Sequence, residues 1–171
     1  MFYDCTNLTT APELPAITLT SSCYDYMFYN CTNLVVAPEL PATTLDSYCY
    51  RKMFQYCTNL ATAPELPATT LANSCYESMF YKCTNLTTPP QLPATTLADS
   101  CYRSMFQNCT NIKLSSTQTE EYQTAYRIPT SGTGTTGSGS LSSMFSSTGG
   151  TFTGTPTINT TYYLSTSNTV V

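Results

Sequence analysis

Nine cysteines are the residues whose type and spacing most invite a chemical reading. They form two series, Cys5, Cys31, Cys57, Cys83 and Cys109, and Cys23, Cys49, Cys75 and Cys101, each with a step of 26 residues. Thiols can pair as disulfides or hold a metal ion. Within one cycle Cys75 and Cys83 are eight residues apart, about 12 Å along a helix axis, whereas a disulfide needs Cα atoms within about 7 Å. Equivalent cysteines on neighbouring packed helices would stand about 8–10 Å apart. Spacings of 8 and 18 fit no zinc pattern. The expectation is two ladders of small buried thiols that serve packing. Glu13, Glu39 and Glu65 make another series, which Gln91 ends. At a sheet spacing of about 5 Å, neighbouring carboxylates repel by about 1 kcal/mol in water and about 3 kcal/mol at an effective dielectric of 20. Calcium takes such oxygens, but the Asp, Asn and Gly ligands of a calcium loop are missing. Solvated glutamates are expected, with no metal and no cofactor.

Composition narrows the functional classes. The chain has no His, which removes the commonest general base and the commonest metal ligand. Enzymes built on Ser-His, Cys-His or a zinc site are therefore set aside, and the chain reads as non-enzymatic. Only 9% of residues are charged and the formal net charge is -4. No basic patch is available for phosphate contacts, which speaks against nucleic acid. No apolar run reaches the ~18 residues of a membrane helix, so no membrane insertion is expected. No charged segment followed by an apolar one marks a signal peptide.

The elements that position these residues follow from the repeat. Met-Phe pairs begin at Met1, Met27, Met53, Met79 and Met105, again with a step of 26. A fixed period of this length signals stacked units that cannot fold singly. The array divides into 1–112, four complete repeats and the start of a fifth; 113–143, an irregular fifth repeat with a Gly/Ser/Thr-rich insertion; and 144–171, a diverged repeat that caps the stack. The insertion "SGTGTTGSGS" reads as a flexible loop.

Within one cycle, Leu71, Ala72, Cys75, Tyr76, Met79, Phe80 and Cys83 share half of a helical wheel. Asn73, Ser74, Glu77, Ser78 and Tyr81 fill the other half. "TLANSCYESMFYKCTN" therefore predicts a helix of about three turns. Thr69 or Thr70 would be its N-cap, Lys82 would suit its C-terminal dipole, and Asn85 would take the left-handed conformation beyond its end. Pro64 and Pro67 prevent "NLATAPELP" from continuing the helix, so it predicts a short extended rung with Leu60 and Ala63 inward. The expected fold class is α/β, with a short parallel sheet on one side and a layer of short helices on the other.

The pattern "CTNL…P.LPATTL…CY..MF..C" resembles the 26-residue bacterial surface-protein repeat known as the PARCEL repeat. That repeat is related to BspA-like leucine-rich repeats. The resemblance covers residues 1–112, and the tail "MF…GGTFTGTP" looks like the ends of such arrays in bacterial and phage-encoded proteins. It implies a leucine-rich-repeat-like, right-handed solenoid on a cell surface, secreted, or on a virion surface. It implies no catalytic residues. Partners would be a protein or glycan on a host or neighbouring cell, met in adhesion. The alternative is a structural spacer or stalk in a larger surface or phage tail protein. Met1 is the repeat's own Met, so the reading expects either repeats lost upstream or a start at Met1 cut out of a longer array, with the chain part of a longer polypeptide or assembly.

Two faces vary between repeats. On the outward side Tyr3, Tyr29 and Tyr81 alternate with Gln55 and Gln107; Asp25, Arg51, Glu77 and Arg103 share a second position; Tyr26, Lys52, Ser78 and Ser104 share a third. Tyr3, Tyr26, Tyr29, Tyr81, Arg51 and Arg103 are the candidate binding residues, because tyrosine and arginine are favoured interface anchors. Simple tolerance of a solvated surface explains the variation as well. The rung positions Thr9-Thr10, Val35-Val36, Ala61-Thr62 and Thr87-Thr88 form the rival face.

Overall fold

The segment between the two cysteines of a cycle has a four-residue rhythm, "SCYE", "SMFY", "KCTN" from Ser74. In the computed structural model, which describes residues 1–168, the backbone follows this rhythm as overlapping turns and not as a helix. Every fourth residue takes a left-handed φ: 53° at Ser74, 54° at Ser78 and 60° at Lys82. Tyr48, Lys52 and Tyr56 do the same in the preceding cycle, and Ser100, Ser104 and Asn108 in the following one.

The hydrogen bonds alternate with this rhythm. Odd-numbered amides bond within their own cycle, as in Cys75 N–H to Ala72 O at 3.3 Å and Met79 N–H to Tyr76 O at 3.2 Å. Even-numbered amides reach the next cycle. Tyr76 N–H donates to Cys101 O at 3.0 Å, Ser78 N–H to Arg103 O at 2.8 Å, and Phe80 N–H to Met105 O at 3.0 Å. An α-helix satisfies its amides internally; here half of them join one cycle to the next.

The expected layer of short helices is therefore absent. Among the described residues the helical content is one 3-10 turn, Thr166–Asn168. Spacing explains why. The rings of Phe2, Phe28, Phe54, Phe80, Phe106 and Phe145 stack with centroids 5.4 to 5.6 Å apart. That rise is close to the separation of paired strands, about 4.8 Å, and far below the about 8–10 Å that packed helices require. Turns can stack at this rise and helices cannot. The helical caps fall with the helix. Thr70 pairs in parallel with Thr44 and Thr96 instead of capping. Lys82, not Asn85, adopts the left-handed backbone.

The rung is also shorter than expected. Thr10, Val36, Thr62 and Thr88 pair in parallel one residue at a time, as do Thr18, Thr44, Thr70 and Thr96. The prolines two residues beyond the first series supply no N–H and limit its length. The second series widens into strand β1 (Thr96–Leu97), which pairs in parallel with β4 (Thr135–Thr136). Beyond it lies a mixed sheet of β2 (Lys113–Ser115), β3 (Tyr122–Arg127), β5 (Gly149–Gly150) and β6 (Thr161–Ser165), in the order β3-β6-β2-β5. The stretch read as a flexible loop is part of this layered structure. Ser100, Tyr102, Ser104, Phe106 and Asn108 donate to the carbonyls of Ser138, Ser140, Ser142, Met144 and Ser146. A Cβ on Gly137 would lie 2.6 Å from Asp99 Oδ1 and 2.8 Å from the Ala98 carbonyl carbon, so this approach needs glycine. The expected boundary at Val171 lies outside the described residues.

The core is a set of columns. Cys75, Tyr76, Met79, Phe80 and Cys83 are buried, as their pattern predicts, and so are Leu60 and Leu86. Ser74 and Ser78, expected on the outer face, are buried too. At the N-terminal end the columns are uncovered: Cys5 and Cys23 are exposed where Cys31 and Cys49 are buried. No helix among the described residues is long and apolar enough to cross a membrane.

A left-handed φ costs a non-glycine residue roughly 1–2 kcal/mol. Ser104→Gly is therefore expected to leave stability unchanged or raise it by up to about 1 kcal/mol, whereas Arg103→Gly should lower it by about 0.5–1 kcal/mol. Urea unfolding of the two variants checks this; a helix would lose about 1 kcal/mol at both positions.

Candidate binding face

The cysteines stack as two ladders through the repeats. Adjacent members of a ladder stand one strand spacing apart, about 5 Å. That is inside the Cα range of a disulfide, so the helix-based separation is corrected: distance does not keep these thiols apart. All nine are free. The thiols of Cys31, Cys57, Cys83 and Cys109 instead donate to the carbonyls of Phe2, Phe28, Phe54 and Phe80 at 3.0, 3.1, 3.1 and 2.9 Å. Burial pushes the thiols of Cys49, Cys57, Cys101 and Cys109 up to about 12. They stay protonated at neutral pH, and the thiolate is the reactive form. Among the described residues no group of three or more Cys, Asp or Glu side chains converges as a metal site.

The stacked turns bring the tyrosines of successive cycles together. Tyr3 and Tyr29 stack with centroids 4.8 Å apart and planes 6° apart. Tyr26 joins them, 5.5 Å from Tyr29 and 6.4 Å from Tyr3. Tyr56 meets Tyr29 edge-on at 5.4 Å and Tyr81 at 5.7 Å. Of the candidate residues, Tyr3, Tyr26, Tyr29 and Tyr81 thus belong to one chain of ring contacts. Sequence comparison missed Tyr56 and Tyr48. Tyr56 shares its repeat position with Asp4, Asn30, Lys82 and Asn108, all with left-handed backbone.

Cations are threaded through the rings. The Arg51 guanidinium lies 4.7 Å from the Tyr48 centroid and 5.6 Å from that of Tyr26. Lys52 Nζ is 5.0 Å from the Tyr26 centroid and donates to the Tyr26 hydroxyl at 2.8 Å. Lys82 Nζ sits 5.2 Å from the Tyr56 centroid and 5.8 Å from that of Tyr81. Arg51 is committed elsewhere: Nε and Nη2 grip both oxygens of Asp25 at 3.1 and 2.6 Å. That hydrogen bonding holds Arg51 above the usual guanidinium range, and Glu77 adds to the effect. Asp25, Arg51, Glu77 and Arg103 thus form a column of alternating charge, a device the variable positions concealed. Arg103, at the far end of it, is exposed and makes no cation–ring contact among the described residues.

The other candidate features lie apart from this face. Glu13, Glu39 and Glu65 are exposed beside shallow depressions floored by Pro12, Pro38, Pro41, Pro64 and Pro67. On the rung side Val35 and Val36 are exposed. No family model, curated protein or solved structure matches the chain.

Arg51→Glu would place acidic side chains at three successive levels. At the ring-stacking rise each new pair repels by about 1–3 kcal/mol, so a loss of that order is expected in urea unfolding at low salt, shrinking in high salt. The thiols add a pH dependence. Their folded pKa lies above the unfolded value of about 8.5, so the two states bind equal protons below that pH and the unfolded state binds fewer above it. Stability should be level to about pH 8 and fall by up to about 1.4 kcal/mol per unit per buried thiol as the pH rises toward 12. Unfolding midpoints between pH 7 and 10.5 measure it.

Proposed function

We propose that successive cycles wind as a solenoid and that the chain is a non-enzymatic surface module, binding a protein or glycan through the tyrosine face. One observation carries this reading: Tyr3, Tyr26, Tyr29, Tyr56 and Tyr81 form a continuous run of ring contacts on the outside of the molecule. Tyr3 is 47% exposed, and Tyr26, Tyr29, Tyr56 and Tyr81 are half-buried. Tyrosine offers large, stiff contact area with a polar tip, and a cluster of them is a natural anchor set. The resemblance of residues 1–112 to a bacterial surface repeat supports adhesion at a cell surface, or an equivalent role on a virion.

The test is a screen of host glycans and cell-surface proteins with the chain and its Tyr29→Ala/Tyr81→Ala variant. Binding should fall at least about tenfold, ~1.4 kcal/mol, while the unfolding midpoint stays close to that of the parent. Silence across a broad panel, or binding that ignores the substitutions, would favour a spacer.

A further inference from the structure

The charge column of the tyrosine face reads Asp25, Arg51, Glu77, Arg103, one residue per cycle in strict alternation. The residues that follow the first three, Tyr26, Lys52 and Ser78, donate their amides to the carbonyls of Arg51, Glu77 and Arg103. The four charges therefore occupy four successive levels. Within the chain the column is half used. Arg51 grips Asp25 through Nε and Nη2, and its Nη1 makes no such bond. Among the described residues the ion pair formed is that one, so Glu77 and Arg103 have no ion-pair partner.

An alternating column with an even number of members, turned end for end, presents the opposite sign at every level. A second copy laid face to face with its stack reversed sets Asp25 against Arg103 and Arg51 against Glu77, each pair occurring twice. This is a two-fold arrangement, in which the same patch serves both copies. Slipped by one cycle, it would bring Arg51 onto Arg51 and Asp25 onto Glu77. Columns running the same way in register would set like on like throughout, which strongly disfavours association. The other charges near the column agree with the reversed register. By repeat position Lys52 would face Ser78, Lys82 would face Tyr56, Asp46 would face Ala72 and Asp99 would face Ser21. Asp4 lies one cycle beyond the four levels and accepts from Asn30 Nδ2 at 2.9 Å. A face of mixed sign favours neither an anion nor a cation, but it suits its own reversed copy. Tyrosine and arginine are side chains enriched at protein interfaces. Their area supplies contact, while the charges fix direction and register.

We infer that the tyrosine face binds a second copy of this chain, face to face with reversed stacks, in the register that pairs Asp25 with Arg103 and Arg51 with Glu77. This rests on the protein-binding reading of the same face and names the protein. Sedimentation equilibrium of the whole chain should show a reversible monomer–dimer equilibrium that weakens with added salt. Glu77→Arg and Arg103→Glu, at the two residues without an ion-pair partner in the chain, should each raise the dimer dissociation constant at least about tenfold while still unfolding cooperatively. Arg51→Glu should fail to self-associate as well, and an equimolar mixture of Arg51→Glu with Glu77→Arg should form a heterodimer, because each reversed charge then meets its opposite. If Arg51→Glu does not fold, Arg103→Glu carries the test. A parent chain that stays monomeric up to about 1 mM overturns the inference and leaves the tyrosine face to another partner. A mixture of folded variants that stays monomeric overturns it too. So does a dimer that ignores the charge reversals: if that dimer is lost in Tyr29→Ala/Tyr81→Ala the tyrosine face stands, and if it persists there both readings fall.

Discussion

Every layer of this molecule depends on backbone amides that alternate between two destinations. In the turn segments 22–31, 48–57, 74–83 and 100–109, odd-numbered amides close turns within a cycle and even-numbered ones donate to the next. Buried backbone groups must be paired, and this alternation pairs them in a layer that is neither helix nor extended strand. The rise it sets, seen in the 5.4 to 5.6 Å steps of the phenylalanine column, matches that of the parallel bridges on the opposite side of each cycle. Both sides can therefore stack in step. The columns of Phe, Tyr, Met and Cys follow, because a side chain at one level must meet its own equivalent at the next.

That constraint also governs what the surface can do. Any residue repeated without change becomes a column of like groups at close spacing. For apolar rings and thiols this is favourable. For charges it is not, and the outer face answers with Asp25, Arg51, Glu77 and Arg103 in alternation. Tyrosines escape the difficulty, since offset and edge-on ring pairs are attractive. The same stacking that makes a stable wall therefore makes a broad aromatic face, with Lys52 and Lys82 set into it at left-handed positions.

The repeat and its apolar inward residues were legible in the sequence; the helix was a misreading with an identifiable cause. Over the nine residues from Cys75 to Cys83, a period of four and a period of 3.6 put the same side chains on one side. The wheel thus placed Cys75, Tyr76, Met79, Phe80 and Cys83 inward on the wrong backbone. Two signs distinguish the cases. The apolar pairs Cys75-Tyr76 and Met79-Phe80 recur at four without drift, and Ser74 and Ser78 are buried. The left-handed positions were hidden because Ser, Lys and Tyr occupy most of them, and Asn30 and Asn108 at the last position of the series were the available sign. The contribution of Tyr56 was hidden for a related reason: its repeat equivalents are Asp, Asn and Lys, and the ring contact depends on the turn at that position.

The most direct test of this account is the destination of one amide. In a helix the Tyr76 N–H would donate to the carbonyl of Ala72; in the stacked turns it donates to Cys101. Scalar couplings through hydrogen bonds, measured by NMR on isotope-labelled protein, report the pairing of an amide nitrogen with a carbonyl carbon. The account predicts a coupling between Tyr76 and Cys101, with matching ones from Ser78 to Arg103 and from Phe80 to Met105. A coupling from Tyr76 to Ala72 in their place would contradict it.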